Sequence, residues 1–188
     1  MEYYNQVFDL QSKAPAQWIG QEFEQCIFSK LDLAQMEFTG SNFVNCRFED
    51  CNLTRIALRN TKLYDVRFIN CKLAHVDFGQ CNAFGFHVDF QECRLDYTAF
   101  INRKLKKAHF IDCSLKEAHF LKCELVGTLF KQCDLELARF EENNLAQVDF
   151  STSYNLELNP DDNKLKKARF SLDNLPGLLT KYDLVINQ

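Results

Sequence analysis

The chain has 188 residues with 26 acidic and 22 basic side chains, a formal net charge of −4. That balance excludes the basic excess of a dedicated nucleic-acid binder, and a 46% hydrophobic content excludes wholesale disorder. No apolar run approaches the ~20 residues needed to span a bilayer, and the start, MEYYNQVFDLQSKAP, lacks the basic-then-apolar pattern of a secretory signal. The expected compartment is the cytoplasm, with no membrane partner. Two counts stand out, 18 Phe and 9 Cys. An odd cysteine number rules out complete intrachain pairing, and a reducing compartment leaves all of them as thiols.

Residues 1–20 carry no repeat. Trp18 and Ile19 precede the first regular segment, and YYNQVFDL reads as an edge strand that covers Phe23 and Phe28. From Phe23 every fifth residue is Phe or Leu: 23, 28, 33, 38, 43, 48, 53, 58, 63, 68, 73 and 78. A second run does the same from Phe90 to Phe150, with Phe and Leu in strict alternation, a super-period of ten. Eight of the nine cysteines lie two residues before one of these centres, and Cys81 holds the same phase before Ala83.

Neither an α-helix nor a flat strand explains a period of five. A five-residue helical step turns ~500°, so the apolar residues would march around the axis. In a strand, residues five apart point to opposite faces, whereas residues two apart share one. The pattern therefore asks for short extended pieces whose centre and second-preceding residue point inward. A corner after each piece makes the chain a parallel β-solenoid.

FEDCN-LTRIA and FIDCS-LKEAH-FLKCE-LVGTL-F resemble the pentapeptide repeat family, over residues 21–152. The resemblance implies an all-β solenoid: a right-handed quadrilateral parallel β-helix with four pentapeptides per coil. Some twenty-five repeats then make about six coils, at ~4.8 Å per layer a rod of roughly 30 Å. It also implies a non-enzymatic protein. Quinolone-resistance members, Qnr-like and mycobacterial, bind DNA gyrase or topoisomerase IV as DNA mimics and protect against quinolones or toxins. A general protein-interaction scaffold is the alternative.

Phe78 and Phe90 are twelve apart, so two extra residues lie between 83 and 88. This reads as a small surface bulge, and its functional form is a partner-contacting protrusion with exposed Phe84, Phe86 or His87. Arg103, Asn143 and Gln21 fall at inward positions. Arg103 either snorkels outward, the favoured reading, or finds a partner inside, and Asn143 and Gln21 are expected to be satisfied by water near the ends.

No Gly-rich phosphate loop or other catalytic motif appears, and no cofactor is expected. The cysteines lack the close pairs typical of zinc sites and read as small core residues, so no metal site is assigned. His109 and His119, ten residues apart, face opposite sides of a four-sided coil. Function falls to the outer positions. One face carries Asp89, Glu92 and Asp112, the next Asp134 and Glu136, another Glu141 and Glu142, and the fourth Lys104, Lys106 and Lys107. The acidic residues Asp89, Glu92, Asp112, Asp134 and Glu136, with Phe84, Phe86 and His87, are the candidate partner-binding set.

After Phe150 the turn-rich STSYNLELNPDDN interrupts the repeat, and Leu165, Phe170 and Leu175 re-enter it as a partial final coil. Over 173–188 the period changes to that of a helix. Asp173 or Asn174 is the cap, Pro176 lies in the first turn, and Leu175, Leu178, Leu179 and Tyr182 form one apolar face. The three segments are thus an N-terminal cap (1–20), the β-helix (21–152) and a final coil with a short C-terminal α-helix (153–188). The last is expected to form a homodimer through Leu175, Leu178, Leu179, Tyr182 and Val185, as the topoisomerase-binding relatives do at their C-terminal ends.

Overall fold

Every fifth residue turns the chain. In the computed structural model, which describes residues 1–11 and 17–185, the residue two after each centre from Phe23 to Leu145, Phe78 excepted, adopts a left-handed conformation. Gln25, Asn45 and Asp65, with φ of 55°, 53° and 51°, mark successive layers of one corner. This conformation is easy only for Gly, Asn and Asp. Here it is adopted at Arg55, Tyr97 and Leu137 as well, and corner N–H groups bond to the next coil, as Gln25 N does to Val44 O and Tyr97 N to Lys116 O, both at 2.9 Å.

Four corners close a coil of twenty residues. Face I holds the four-stranded parallel sheet Glu2–Tyr4, Glu22–Glu24, Asn42–Val44 and Lys62–Tyr64. Face II holds seven parallel strands, from Val7–Phe8 at one end to Leu129–Lys131 at the other. Face III is built from bridges such as Asp32 to Asn52 and Asn52 to Lys72. Face IV carries Ala99–Ile101, His119–Leu121 and Arg139–Glu141. The register is twenty throughout, Phe28 opposite Phe48 and Phe110 opposite Phe130, except where Phe68 meets Phe90. The solenoid has about seven turns, one more than the repeat count suggests. The extra layer is the N-terminal segment: Glu2 pairs with Glu22 and Val7 with Ile27, and the Tyr3 and Phe8 rings stack on Phe23 and Phe28.

Four columns of side chains fill the interior. Face II contributes an unbroken phenylalanine column from Phe8 to Phe170, with ring centroids 4.5–5.8 Å apart. Phe78, Phe100, Phe120 and Phe140 stack on face IV, edge-on to it. Leucines line face III, and on face I the column changes from Tyr3, Phe23 and Phe43 to Leu63, Leu105, Leu125 and Leu145. In the second run the alternation of Phe and Leu is therefore the alternation of faces, two opposite phenylalanine walls across a leucine gap.

The inward residue before each centre does more than fit a narrow space. Where it is Cys, Ser or Thr, its side chain can donate to the carbonyl of the centre one coil below, while Val66, Val76, Ala108, Ala118 and Ala138 fill the position without a donor. Cys46 Sγ reaches Phe23 O at 3.4 Å, Thr61 Oγ1 reaches Phe38 O at 2.8 Å and Ser153 Oγ reaches Phe130 O at 2.9 Å. The available carbonyl suits small donors, which is why Cys, Ser and Thr recur there beside Val and Ala. Asn143 and Asn163 do the same to Phe120 O and Phe140 O at 2.9 and 2.7 Å. Asn143 is thus satisfied by protein groups rather than water, and Gln21 Nε2 likewise donates to Ile19 O at 2.7 Å.

Arg103 does not turn outward. It is 7% exposed; Nη1 donates to Cys81 O at 2.8 Å, Nε to Ile101 O at 3.0 Å, and its guanidinium lies 5.6 Å from the Phe86 ring centroid. The two-residue insertion makes this possible. Ala83, in phase with Leu63 below and Leu105 above, is displaced to the surface, and Phe86 enters the interior instead, 6% exposed and edge-on to Phe78. A backbone carbonyl pair and a ring face replace the small neighbour that a guanidinium could not use.

At the C-terminal end the repeat register persists through the irregular segment, with Asn144 bridged to Lys164 and Asp149 to Arg169. The expected α-helix is instead three successive 3-10 turns, Leu172–Asn174, Pro176–Leu178 and Thr180–Tyr182. Ser171, not Asp173 or Asn174, caps the first through its side chain at 3.2 Å from Asn174 N. The reason is a close approach: Gly177 O accepts from Leu158 N at 3.1 Å, and a Cβ on Gly177 would sit 1.8 Å from Leu156 O. Gly177→Ala is therefore expected to undock this end at about 1–3 kcal/mol, read as a lower urea midpoint; an unchanged midpoint would contradict the packing described.

Candidate interaction surface

The register decides which outer residues meet. Asp89 lies one layer from His109 on face II and accepts from its backbone N at 2.8 Å and faces its Nδ1 at 3.0 Å. Asp134 and Glu136 share Lys116 on face III, at 3.1 and 2.5 Å. Burial works to raise the Asp134 carboxyl, but hydrogen bonds from Asn155 and Lys116 outweigh it and hold Asp134 below the ordinary carboxylate value. Glu92 accepts from Gln91 Nε2 at 3.0 Å, and Glu92 and Asp112 occupy successive left-handed corner positions. Glu141 faces His119 at 3.4 Å and Glu142 faces Lys122 at 3.6 Å. His109 and His119 stand on faces II and IV, opposite one another as the spacing requires.

The candidate acidic residues therefore do not form one negative stripe. They split between two faces, and three of the five lie against a cation or histidine one layer away. A stacked layer places outer side chains close together, so neighbouring coils with opposite charge attract where like charges would repel. Each exposed pair adds little to stability; together they fix a mixed-sign surface.

The insertion is different. Phe84 is 81% exposed at its tip, and Asn82 Oδ1 holds the turn by accepting from Phe84 N at 2.9 Å. Gly85, at φ +69°, lies against the Tyr64 ring, where an added Cβ would come within 3.0 Å. His87 pairs with Asp65 at 3.0 Å, and both line a shallow groove at the face I–face II corner with Arg47, Arg67 and Asp89. Of the three aromatic and histidine candidates, Phe84 and His87 are thus at the surface and Phe86 is not; its ring is spent on Phe78 and Arg103. Along face I the tip is bordered by Lys62 and Tyr64 below and by the Lys104, Lys106 and Lys107 layer above.

At the C-terminal end Leu178 packs on the core, while Leu172, Leu175, Tyr182, Leu184 and Val185 are exposed, Leu172 at 84% and Val185 at 89%. No group of three or more His, Cys, Asp or Glu among the described residues is arranged to hold a metal ion. No helix among them is long and apolar enough to cross a membrane.

Residues 21–100 match the family described as pentapeptide repeat region, and residues 93–132 match eight copies of pentapeptide repeats. The matches span more than half of the chain, which belongs to the pentapeptide repeat family. No curated protein matches it. Among solved structures, a trypsin-treated form of QnrB1, a plasmid-mediated fluoroquinolone resistance protein, is 16% identical with a TM-score of 0.41, over 100% of this chain and 98% of that one. HetL, a pentapeptide repeat protein involved in heterocyst differentiation regulation in Nostoc sp. strain PCC 7120, is 16% identical with a TM-score of 0.42, over 91% and 83%. These likenesses concern the repeat architecture alone.

Proposed function

We propose that the chain is a non-enzymatic rod that binds another protein through face I at the insertion. The observation that carries this reading is Phe84, an aromatic side chain 81% exposed at the single break in a twenty-residue register. An exposed ring beside a second aromatic, Tyr64, and flanked by lysines has the make-up of an interface anchor with a charged rim.

The second reading is DNA mimicry toward gyrase or topoisomerase IV, with protection against quinolones or toxins. The pairing of Asp89, Asp134 and Glu136 with cationic or histidine neighbours speaks against it, because a phosphate-like array needs unpaired negative charge in line. Gyrase supercoiling with and without ciprofloxacin separates the two. The rod reading expects neither protection nor inhibition at micromolar protein; either effect would establish the topoisomerase reading in its place.

We further propose that two copies associate through the C-terminal end, where Leu175, Tyr182 and Val185 are left uncovered. Light scattering is expected to give twice the 22.0 kDa chain mass. A native mass of one chain would end the dimer claim. Leu175→Lys with Val185→Lys is expected to release the monomer, without the loss of core packing that a change at Leu178 brings.

A further inference from the structure

Five of the nine cysteines form one column. Cys51, Cys71, Cys93, Cys113 and Cys133 occupy the same inward position of face III in five consecutive layers, each buried. Cys51, Cys71, Cys93 and Cys133 share one side-chain orientation, and Cys113 keeps its local contact. The sulfurs of Cys51, Cys71, Cys93 and Cys133 each lie 3.3–3.4 Å from the centre carbonyl one coil below, and all five lie 3.2–3.5 Å from the carbonyl two residues back. Equal orientation in stacked layers makes the sulfurs related by one layer step, ~4.8 Å. Cys26 and Cys46 form a second such step on face II, with matching carbonyl contacts. Cys81 and Cys123 share a column on face I but are held two layers apart by Arg103.

That step is too long for a disulfide, which needs β-carbons about 3.5–4.5 Å apart and turned towards each other. It is close to twice a metal–thiolate bond of about 2.3 Å. We propose that each one-layer cysteine pair is a linear, two-coordinate site for a soft divalent cation of the mercuric type. Two thiols release two protons to solvent and form two metal–sulfur bonds, S–M–S, with no change of oxidation state. Two thiolates and one divalent ion sum to zero charge, so the product avoids the cost of burying a net charge that a monovalent ion would leave behind. Soft thiolates favour such ions over oxygen-preferring ones.

A straight column cannot share an inner sulfur between two linear ions, because the metal–sulfur–metal angle would have to open to a line. Five thiols therefore take two ions, Cys26 with Cys46 takes a third, and Cys81 and Cys123 take none. The pairing rule makes a parity pattern. Removing Cys71 or Cys113 leaves only one pair in the column and lowers the total to two. Removing Cys93 leaves Cys51 with Cys71 and Cys113 with Cys133, so the total stays at three; removing Cys81 also changes nothing.

The test is native mass spectrometry of the reduced full chain titrated with mercuric chloride, with Cys71→Ser, Cys93→Ser and Cys81→Ser beside it. Serine already occupies this kind of position at Ser41 and Ser153, both buried, so the variants keep a native-like donor; circular dichroism checks each fold, and Cys113→Ser stands in if Cys71→Ser fails. Expected are three ions, two, three and three, each ion displacing two protons. Equal counts for Cys71→Ser and wild type, one ion per thiol, or no uptake by the folded chain would each overturn the proposal.

Discussion

Replacing Phe110 by alanine is expected to cost about 3–5 kcal/mol, the range for a fully buried phenylalanine. The ring is 0% exposed, stacked between Phe90 at 5.1 Å and Phe130 at 4.7 Å, and edge-on to Phe100 and Phe120 at 5.9 and 6.0 Å. Every partner is itself held by a layer on either side, so the cavity has little means of collapse. Stacked aromatic pairs add about 0.5–1.5 kcal/mol each beyond burial, which places the effect towards the upper end. Phe170→Ala serves as the comparison. It removes a half-buried ring with one stacking partner at 5.8 Å, and about 1–2 kcal/mol is expected. Urea unfolding measures both; similar losses at the two sites would contradict the stacked-column description.

The second large effect is expected at Asn143, where polar chemistry rather than packing is at stake. Its Oδ1 accepts from Cys123 N at 2.8 Å; its Nδ2 donates to Phe120 O at 2.9 Å and to Asn163 Oδ1 at 3.2 Å. Asn143→Ala leaves a buried N–H and a buried carbonyl without this partner, each worth about 1–3 kcal/mol, for a total of about 2–6 kcal/mol. Asn143→Ser should recover most of it. Ser153 makes the same two bonds in its own column, accepting from Cys133 N at 3.1 Å and donating to Phe130 O at 2.9 Å. A serine variant as unstable as the alanine one would show that side-chain volume, not hydrogen bonding, sets the position.

The columns were legible in the sequence because one residue type in five is a hard constraint that the interior imposes at every layer. The pairing of Asp89 with His109, and of Lys116 with Glu136, was equally within reach: each pair is twenty residues apart, the coil length. The signal is alternation of sign between layers of one face, not like charge along it. Arg103 was misread for a different reason. Its partners, the Cys81 carbonyl and the Phe86 ring, come into place only once the insertion has pushed Ala83 out and drawn Phe86 in, and the period says where two residues were added but not which aromatic replaces the missing centre. The C-terminal helix failed as an α-helix through one contact, Gly177 against Leu156, that joins segments twenty-one residues apart. Helical periodicity over 175–182 saw the apolar face and not the backbone neighbour beneath it.

Binding through face I stands or falls on what touches Phe84. A photo-crosslinking residue placed at position 84, and in a second protein at exposed Lys131 on face II, reports this directly in a lysate of the source cells. One discrete adduct from position 84 and none of that size from position 131 is the expected result, with capture weakened about tenfold or more by Phe84→Ser in the unlabelled chain. Equal adducts from both positions, or none from position 84, would contradict a binding face at the insertion.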